Sequence, residues 1–196
     1  MRLDRAALPF AVALAALTVV AAVLEPWAAA APAILLAFTL WFFRDPERRP
    51  PGDPAALLSP VDGRVIVASA RRISVFMNVF DVHVCRSPVA GTVASVEHVP
   101  GRFLAAFQDA ASEHNERTSI VVDAGGTPVR LTLVAGLVAR RIVCRVGPGR
   151  DLAAGERIGL IRFGSRVDVD LPLGAIPAVR VGDRVVGGET VIALRA

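Results

Sequence analysis

The chain has 196 residues, of which 54% are hydrophobic and 20% are charged, and its formal net charge is +4. Soluble domains average about 45–50% apolar and about 25% charged residues, so this composition excludes a disordered protein and favours a membrane segment beside one folded domain. The positive charge favours anionic partners such as lipid head groups, whereas the runs of basic and aromatic residues expected of a nucleic-acid-binding protein are missing from the sequence.

All 22 basic side chains are arginines, so the chain contains no lysine. Without a lysine amine it cannot hold pyridoxal phosphate as a Schiff base, and a phosphate-binding loop of the GxxxxGK[ST] type is excluded. The two cysteines, Cys85 and Cys144, form neither a CxxC pair nor a metal-ligand spacing. We therefore expect two buried free thiols in a reducing compartment and no metal site.

Residues 1–43 form a predicted membrane anchor. Two uncharged apolar runs, Ala6–Leu24 and Trp27–Phe43, are separated by Glu25 and Pro26, and each is long enough as a helix to approach the ~30 Å thickness of the hydrocarbon core. Arginines lie at both outer ends, which favours a helical hairpin with both ends, and hence the following domain, on the cytoplasmic side. A cleaved signal peptide and a shallow, non-spanning hairpin are the alternatives.

Residues 44–56 are interpreted as a linker, because four prolines among charged residues block regular structure. From residue 57 to residue 196 the chain breaks into short β-branched runs between turn residues, which predicts a mainly β domain. The spacing over Arg102–Ser112 predicts a helix. The expected strands are Arg64–Ala68, Ile73–Phe76, Val82–Cys85, Gly91–Val96, Ser119–Asp123, Val129–Val134, Arg141–Val146, Arg157–Arg162, Arg166–Leu171 and Thr190–Leu194.

Two pairs of segments repeat within this domain. Ser59–Gly63 resembles Ser87–Gly91, and Ala154–Ile158 resembles Val181–Val185. Turns of the second kind are typical of flattened β-barrels of the biotinyl/lipoyl hybrid type. We therefore predict a flattened, barrel-like hybrid β fold built from two related halves, although ordinary β-turn chemistry also produces such repeats.

His83 is the histidine best placed for chemistry. Strand alternation would put it on one face with Asp81 and Cys85, next to Arg86. A structural histidine within a strand is the competing interpretation. Asp62 lies in a Pro-Val-Asp-Gly turn, where aspartate is also common for backbone reasons alone.

The dipeptide Gly164-Ser165 lies between two predicted strands. It is either an ordinary bend or a self-processing bond, in which the Ser165 hydroxyl attacks the Gly164 carbonyl with the help of a base. The dipeptide by itself does not distinguish these alternatives.

Together these segments resemble the phosphatidylserine decarboxylase family, in its short, membrane-anchored prokaryotic form. The resemblance covers most of residues 57–171 and includes the apolar N-terminal segment. The matching stretches are Ser59–Val65, Phe76–Val84, Arg86–Pro88, Asn115–Arg117, Ala135–Ile142 and Gly155–Asp168.

The resemblance implies a zymogen that cuts itself at Gly164–Ser165 into a β chain, residues 1–164, and an α chain, residues 165–196, which stay together. Ser165 would become a covalently bound pyruvoyl group, with neither a metal nor pyridoxal phosphate. That group would serve the decarboxylation of phosphatidylserine to phosphatidylethanolamine and CO2, a step of phospholipid biosynthesis. A pyruvoyl carbonyl needs no lysine, which agrees with the composition.

By the same resemblance, Asp62 matches an aspartate of self-cleavage and His83 a histidine of the proton steps of decarboxylation. Longer family members have a second histidine where this chain has Arg86, and they read Leu-Gly-Ser-Thr where it reads Phe163-Gly-Ser-Arg166. The base for self-cleavage therefore stays open between His83 and Asp62. Arg86 is a candidate for binding the phosphate or carboxylate of the substrate.

The expected location is the cell membrane, where phosphatidylserine resides, and the sequence leaves homo-oligomerisation open. The alternative function is a non-catalytic, membrane-tethered hybrid-barrel adaptor, since a carrier domain of that fold would need a lysine. A pyruvoyl enzyme for a soluble amino acid is a third interpretation, which the membrane segment disfavours.

Overall fold

The computed structural model describes residues 2–102, 114–136, 141–162 and 165–195. It divides into two compact units, Met1–Glu47 and Arg48–Ala196. The helices are α1 (Leu8–Leu24) and α2 (Ala30–Phe42). The strands are β1 (Arg2–Leu3), β2 (Arg44–Asp45), β3 (Ala56–Leu58), β4 (Gly63–Ala68), β5 (Arg72–Met77), β6 (Val84–Arg86), β7 (Gly91–Val99), β8 (Arg117–Asp123), β9 (Pro128–Val134), β10 (Ile142–Cys144), β11 (Asp151–Leu152), β12 (Arg157–Ile161), β13 (Ser165–Asp170), β14 (Ile176–Pro177), β15 (Arg184–Val185) and β16 (Val191–Leu194).

The first unit is a helical hairpin, as the two apolar runs predict. Glu25 interrupts the helices in an extended conformation, and a short 3-10 turn leads into α2. Strands β1 and β2 pair antiparallel, so the two ends of the hairpin lie together. The segment Arg5–Leu24 has 20 residues and a mean hydropathy of 2.5, which is long and apolar enough to cross a membrane, whereas Pro26–Phe42 is shorter.

The second unit is mainly β, as predicted. Its largest sheet has eight antiparallel strands in the order β11-β7-β8-β9-β13-β5-β4-β15 and curls into a half-barrel, and two three-stranded sheets complete the unit, β10-β12-β6 and β14-β16-β3. Alternate residues of β5, β8, β9 and β13 are valine, isoleucine, leucine or methionine, so the period-two pattern buries one face of the sheet as a core. Strand β13 is buried on both faces over Ser165–Val169.

The two related halves predicted from the repeated segments are present as a local pseudo-twofold arrangement. The amide N–H of Leu58 donates to the carbonyl oxygen of Pro88, and that of Arg86 donates to Pro60. The two repeated turns then enter β4 and β7 through Gly63 and Gly91. A Cβ atom there would lie 2.2 Å from one backbone oxygen and 2.1 Å from another, so only glycine fits at either position.

The second predicted repeat is present with a different alignment. Gly182 donates to the carbonyl of Val65, and Gly149, not Gly155, makes the matching bond to Val93. Gly155 corresponds instead to Gly188, since each donates to the serine that opens one of the repeated turns. Each half contains two glycine turns six residues apart, Gly149 and Gly155 in one and Gly182 and Gly188 in the other. The repeat predicted from the sequence was therefore wrong in its alignment, because it paired the second turn of one half with the first turn of the other.

Two predicted elements differ from the structure or lie outside the residues that it describes. The strand expected over Val82–Cys85 begins only at Val84, so Asp81 and His83 precede it and strand alternation does not govern their orientation. The helix expected over Arg102–Ser112 falls almost entirely on residues 103–113, outside the described residues. The remaining predicted strands are found, with ends shifted by up to three residues.

Candidate active site

Ser165 is the first residue of β13, which lies between β9 and β5 in the large sheet. Its side chain is completely buried, and its hydroxyl has no hydrogen-bond partner among the described residues. Leaving a buried polar group unpaired costs about 1–3 kcal/mol, so packing alone does not account for a serine here. The hydroxyl is therefore uncommitted, while Gly164, on the other side of the predicted cleavage site, lies outside the described residues.

The start of β13 lies in a row with the ends of three other strands. Ser165 pairs with Met77 at the end of β5, and Gly63 at the start of β4 pairs with Val185 at the end of β15. Since β5 also pairs with β4 and adjacent strands are about 4.8 Å apart, the backbones of Ser165 and Gly63 are separated by about 10 Å. The turn that carries Asp62 thus lies at the same end of the sheet as Ser165.

Asp62 is held by two strong hydrogen bonds. The Gly187 amide donates to its Oδ1 at 2.7 Å, and Arg48 Nη2 donates to its Oδ2, also at 2.7 Å. Burial raises the pKa of Asp62, and the nearby Asp81 carboxylate adds to this, whereas the Gly187 N–H and the Arg48 guanidinium act in the opposite direction. Burial outweighs these two, so the carboxylate takes up a proton more readily than an ordinary aspartate.

The fold does not need a carboxylate at this turn. In the pseudo-symmetric turn Ala90 occupies the position of Asp62. Both turns close in the same way, since the hydroxyls of Ser59 and Ser87 donate to the carbonyl two residues ahead, at 2.7 and 2.6 Å. Because the second turn forms with alanine, the backbone preference of aspartate for turns does not explain Asp62, and a functional role is favoured.

His83 lies immediately before β6 and is almost fully buried. Its Nδ1 lies 2.9 Å from the carbonyl oxygen of Asp81. A carbonyl oxygen only accepts, so Nδ1 is the donor in this contact and the neutral ring has its lone pair on Nε2, the arrangement that a general base requires. The His83 carbonyl in turn accepts the amide N–H of Ile161, four residues before Ser165, so His83 lies beside the segment that leads to the predicted cleavage site.

Arg86, at the position of the second histidine of longer family members, is buried and already engaged. Its Nη1 donates to the Gly155 carbonyl at 3.0 Å, and its amide donates to the Pro60 carbonyl at 2.8 Å. These contacts connect β6 with two turns. The geometry favours a structural role for Arg86, and a role in substrate binding stays a prediction.

Arg166 and Asp168 form a buried ion pair next to Ser165, and this pair was not predicted from the sequence. Arg166 Nε donates to Asp168 Oδ1 at 2.6 Å, its Nη2 donates to Ser74 Oγ at 2.9 Å, and both charged side chains are at most 4% exposed. Their spacing was a usable signal, because residues two apart in a strand share a face. Arg48 gave no such signal, since its contact with Asp62 depends on the tertiary fold.

The cysteines lie on the two sides of one strand. Cys85 in β6 and Cys144 in β10 both pair with Gly159 of β12, and both thiols are free. Burial raises the pKa of Cys85, so it is poorly reactive as a nucleophile. The prediction of free thiols is confirmed, although Cys144 is only partly buried. Within the described ranges, no cluster of three or more histidine, cysteine or acidic residues is suited to a metal.

Comparison with known proteins adds to this geometry. Residues 35–193 match the model of the family described as phosphatidylserine decarboxylase. The chain is 45% identical over 178 residues to a phosphatidylserine decarboxylase proenzyme of Chlorobium chlorochromatii, covering 86% of this chain and 84% of the relative. It is 51% identical over 170 residues to the proenzyme of Polynucleobacter asymbioticus, covering 82% and 79%. The matched region includes Asp62, His83 and Ser165.

Proposed function

The chain belongs to the phosphatidylserine decarboxylase family, and we propose that it becomes active by cutting its own backbone between Gly164 and Ser165. It is an enzyme that decarboxylates phosphatidylserine, and its relatives are named as proenzymes. The observation that carries the proposal is the Ser165 hydroxyl, which is buried at the start of a central strand and has no partner within the part of the chain that the structure describes.

The cut rearranges the bonds around Ser165. Its Oγ attacks the carbonyl carbon of Gly164, the peptide C–N bond breaks, and the nitrogen of Ser165 takes up a proton as an ester forms. Loss of the Ser165 Cα proton then expels Oγ, which leaves with Gly164 as a new carboxylate. The dehydroalanine left behind takes up one water and releases ammonia, which gives a pyruvoyl ketone at the start of the 165–196 chain.

We assign the removal of the proton from the Ser165 hydroxyl to His83. The Nδ1–H of His83 donates to a carbonyl, so Nε2 has the lone pair that a base needs. Asp62 is the alternative base, but each of its carboxylate oxygens already accepts a hydrogen bond from Gly187 or Arg48. Asp62 instead supplies negative charge at the same end of the sheet, which favours a positive charge developing on His83.

The residues present fit a pyruvoyl group. Converting Ser165 to a ketone removes an O–H donor for which residues 2–102, 114–136, 141–162 and 165–195 provide no acceptor. Once formed, the pyruvoyl carbonyl supplies the electron sink that decarboxylation requires, and the chain has no lysine with which to hold pyridoxal phosphate instead. Burial of Ser165 keeps bulk water from the reacting carbon, and His83 returns a proton to the substrate carbon that loses CO2.

The N-terminal hairpin is proposed to keep the enzyme at the surface of its lipid substrate. The apolar segment Arg5–Leu24 is only 6% buried, so lipid is the solvent that suits it. The pairing of β1 with β2 brings both ends of the hairpin together, and the arginines near those ends favour the cytoplasmic side for the following domain.

Intact-mass measurement of the purified full-length protein tests the proposal. We expect two pieces, residues 1–164 and the 32 residues 165–196 with a pyruvoyl end, and a single uncut and inactive chain for Ser165→Ala. Full decarboxylase activity from Ser165→Ala, or a wild-type 165–196 piece that begins with an ordinary amino group, would overturn it. A wild-type chain that stays whole and inactive would favour the adaptor alternative.

A further inference from the structure

We propose that Arg48, in the segment that follows the membrane hairpin, is a positioning residue for self-cleavage, because its ion pair orients the Asp62 carboxylate at the end of the sheet where β13 starts. This inference rests on the proposed self-cleavage and extends it to a residue outside the motifs that resemble the family. It makes the linker a part of the processing site.

The contact between Arg48 and Asp62 is short and largely shielded from water. Arg48 Nη2 lies 2.7 Å from Asp62 Oδ2, and Nη1 lies 3.7 Å from Glu189 Oε2. The side chains of Arg48 and Asp62 are 12% and 19% exposed. A charge-assisted bond of this length in a shielded position fixes the direction of the carboxylate and favours its charged form.

The linker backbone keeps Arg48 in place. The next residue, Arg49, donates its amide N–H to Glu189 Oε1 at 2.9 Å. Pro50 packs against Gly155 so closely that a Cβ added to this glycine would lie 2.7 Å from the proline ring. The segment Arg48–Pro50 is thus fastened to two turns of the β unit, and Arg48 reaches Asp62 from a fixed position.

The pseudo-symmetry of the fold argues that this contact is not needed to form the turn. The turn that ends in Ala90 has the same serine hydrogen bond and the same glycine entry into its strand, but no carboxylate for an arginine to bind. Since that turn forms without an ion pair, the pairing of Arg48 with Asp62 is a feature of the half of the fold that faces Ser165.

The charges around Asp62 set the direction of the expected effect. Arg48 favours the carboxylate form, whereas Asp81, in the loop after β5, disfavours it. Arg184 pairs with Asp81 at 3.0 Å, and Glu189 shares the guanidinium of Arg48. Removing the positive charge at Arg48 therefore raises the pH at which Asp62 becomes protonated, and it also frees one carboxylate oxygen to turn.

The experiment compares the rate of self-cleavage in full-length precursors synthesised with phospholipid vesicles. Arg48→Gln is expected to slow cleavage, with the difference from wild type growing as the pH falls towards the pKa of Asp62 and shrinking as the pH rises. Arg48→Lys restores most of the rate. Arg49→Gln is the matched control, because it removes the same charge one residue away while its amide contact remains.

The outcomes are separable. Wild-type rates for Arg48→Gln at every pH would overturn the inference, and so would a loss that is constant with pH and not restored by lysine, which indicates a folding defect. Failure of wild type to cut, or cutting of Ser165→Ala, would instead contradict the proposed function.

Discussion

His83 and Asp81 are joined within one loop by a hydrogen bond from imidazole Nδ1 to the Asp81 carbonyl oxygen, 2.9 Å long. The carboxylate of Asp81 is used elsewhere, since it accepts the Asn78 amide and an Arg184 guanidinium N–H. The backbone rather than the acid of Asp81 therefore fixes the tautomer of His83. The lone pair on Nε2 is a property of the loop conformation.

Replacement of His83 with alanine is expected to leave the precursor uncut, because the Ser165 hydroxyl loses its base. His98→Ala is the control, since His98 contacts Thr118 on β8 at 3.1 Å and lies outside the proposed site. The ratio of cut to uncut chain is read by intact mass. Prompt cleavage of His83→Ala to an inactive enzyme would restrict His83 to decarboxylation and return the role of base to Asp62.

Asp62→Asn, which keeps an oxygen to accept the Gly187 amide N–H but carries no charge, is expected to leave the fold at least as stable at neutral pH. The pKa of Asp62 is higher in the folded than in the unfolded chain, so its ionised form disfavours folding at neutral pH. This penalty is complete above the folded-state pKa and disappears as the pH falls towards the ordinary value.

Melting curves measure this effect in a Ser165→Ala background, where both chains stay uncut. The advantage of Asp62→Asn over its parent is expected to shrink as the solution is made acidic. A parent chain that melts well above the Asp62→Asn variant at neutral pH would show that the charge of the carboxylate stabilises the fold.

Asp168→Asn is expected to destabilise the precursor by about 3–5 kcal/mol, because it leaves the Arg166 guanidinium buried without its counter-charge. Asp170→Asn, on the same strand, is the control. Its partner Arg72 and Asp170 itself are 46% and 39% exposed, so the loss there is expected to be below about 1 kcal/mol. Denaturant unfolding, carried out in the Ser165→Ala background, measures the free energy of unfolding of both variants. Equal losses for Asp168→Asn and Asp170→Asn would contradict the stronger role given to the buried pair.

Arg86→His, which restores the second histidine of longer family members, is expected to weaken the fold without speeding cleavage. The guanidinium that binds the Gly155 carbonyl is lost, and a buried acceptor left unpaired costs about 1–3 kcal/mol. Unfolding and cleavage rates are measured on the same preparation. Faster cleavage would show that position 86 faces Ser165 despite its present contact.

Much of the fold was predictable from local pattern. The core strands alternate with a period of two, so β9, with Val129, Leu131 and Leu133 buried, was found directly. The same rule failed at His83, because an alternating sequence does not reveal where hydrogen-bonded pairing begins. Two-residue strands such as β11 and β15 were missed, since they are too short to show any period.

The site was predictable only in part, for a related reason. Asp62, His83 and Ser165 carry motif signals, and the register brings the turn of Asp62 to the same end of the sheet as Ser165. The partner of Asp62 is 14 residues away in sequence and on another segment, and a lone arginine in a proline-rich linker carries no periodic signal. Such a contact becomes visible only when the turns have been placed in three dimensions.

The position of β13 between β9 and β5 has a consequence for the lifetime of the enzyme. Once the chain is cut before this strand, denaturation releases two molecules. The 32-residue piece must then insert β13 between β9 and β5 again, in competition with aggregation. Refolding changes from a first-order to a concentration-dependent reaction. The uncut precursor is therefore expected to refold at a rate independent of its concentration, whereas recovery of the cut enzyme is expected to slow on dilution.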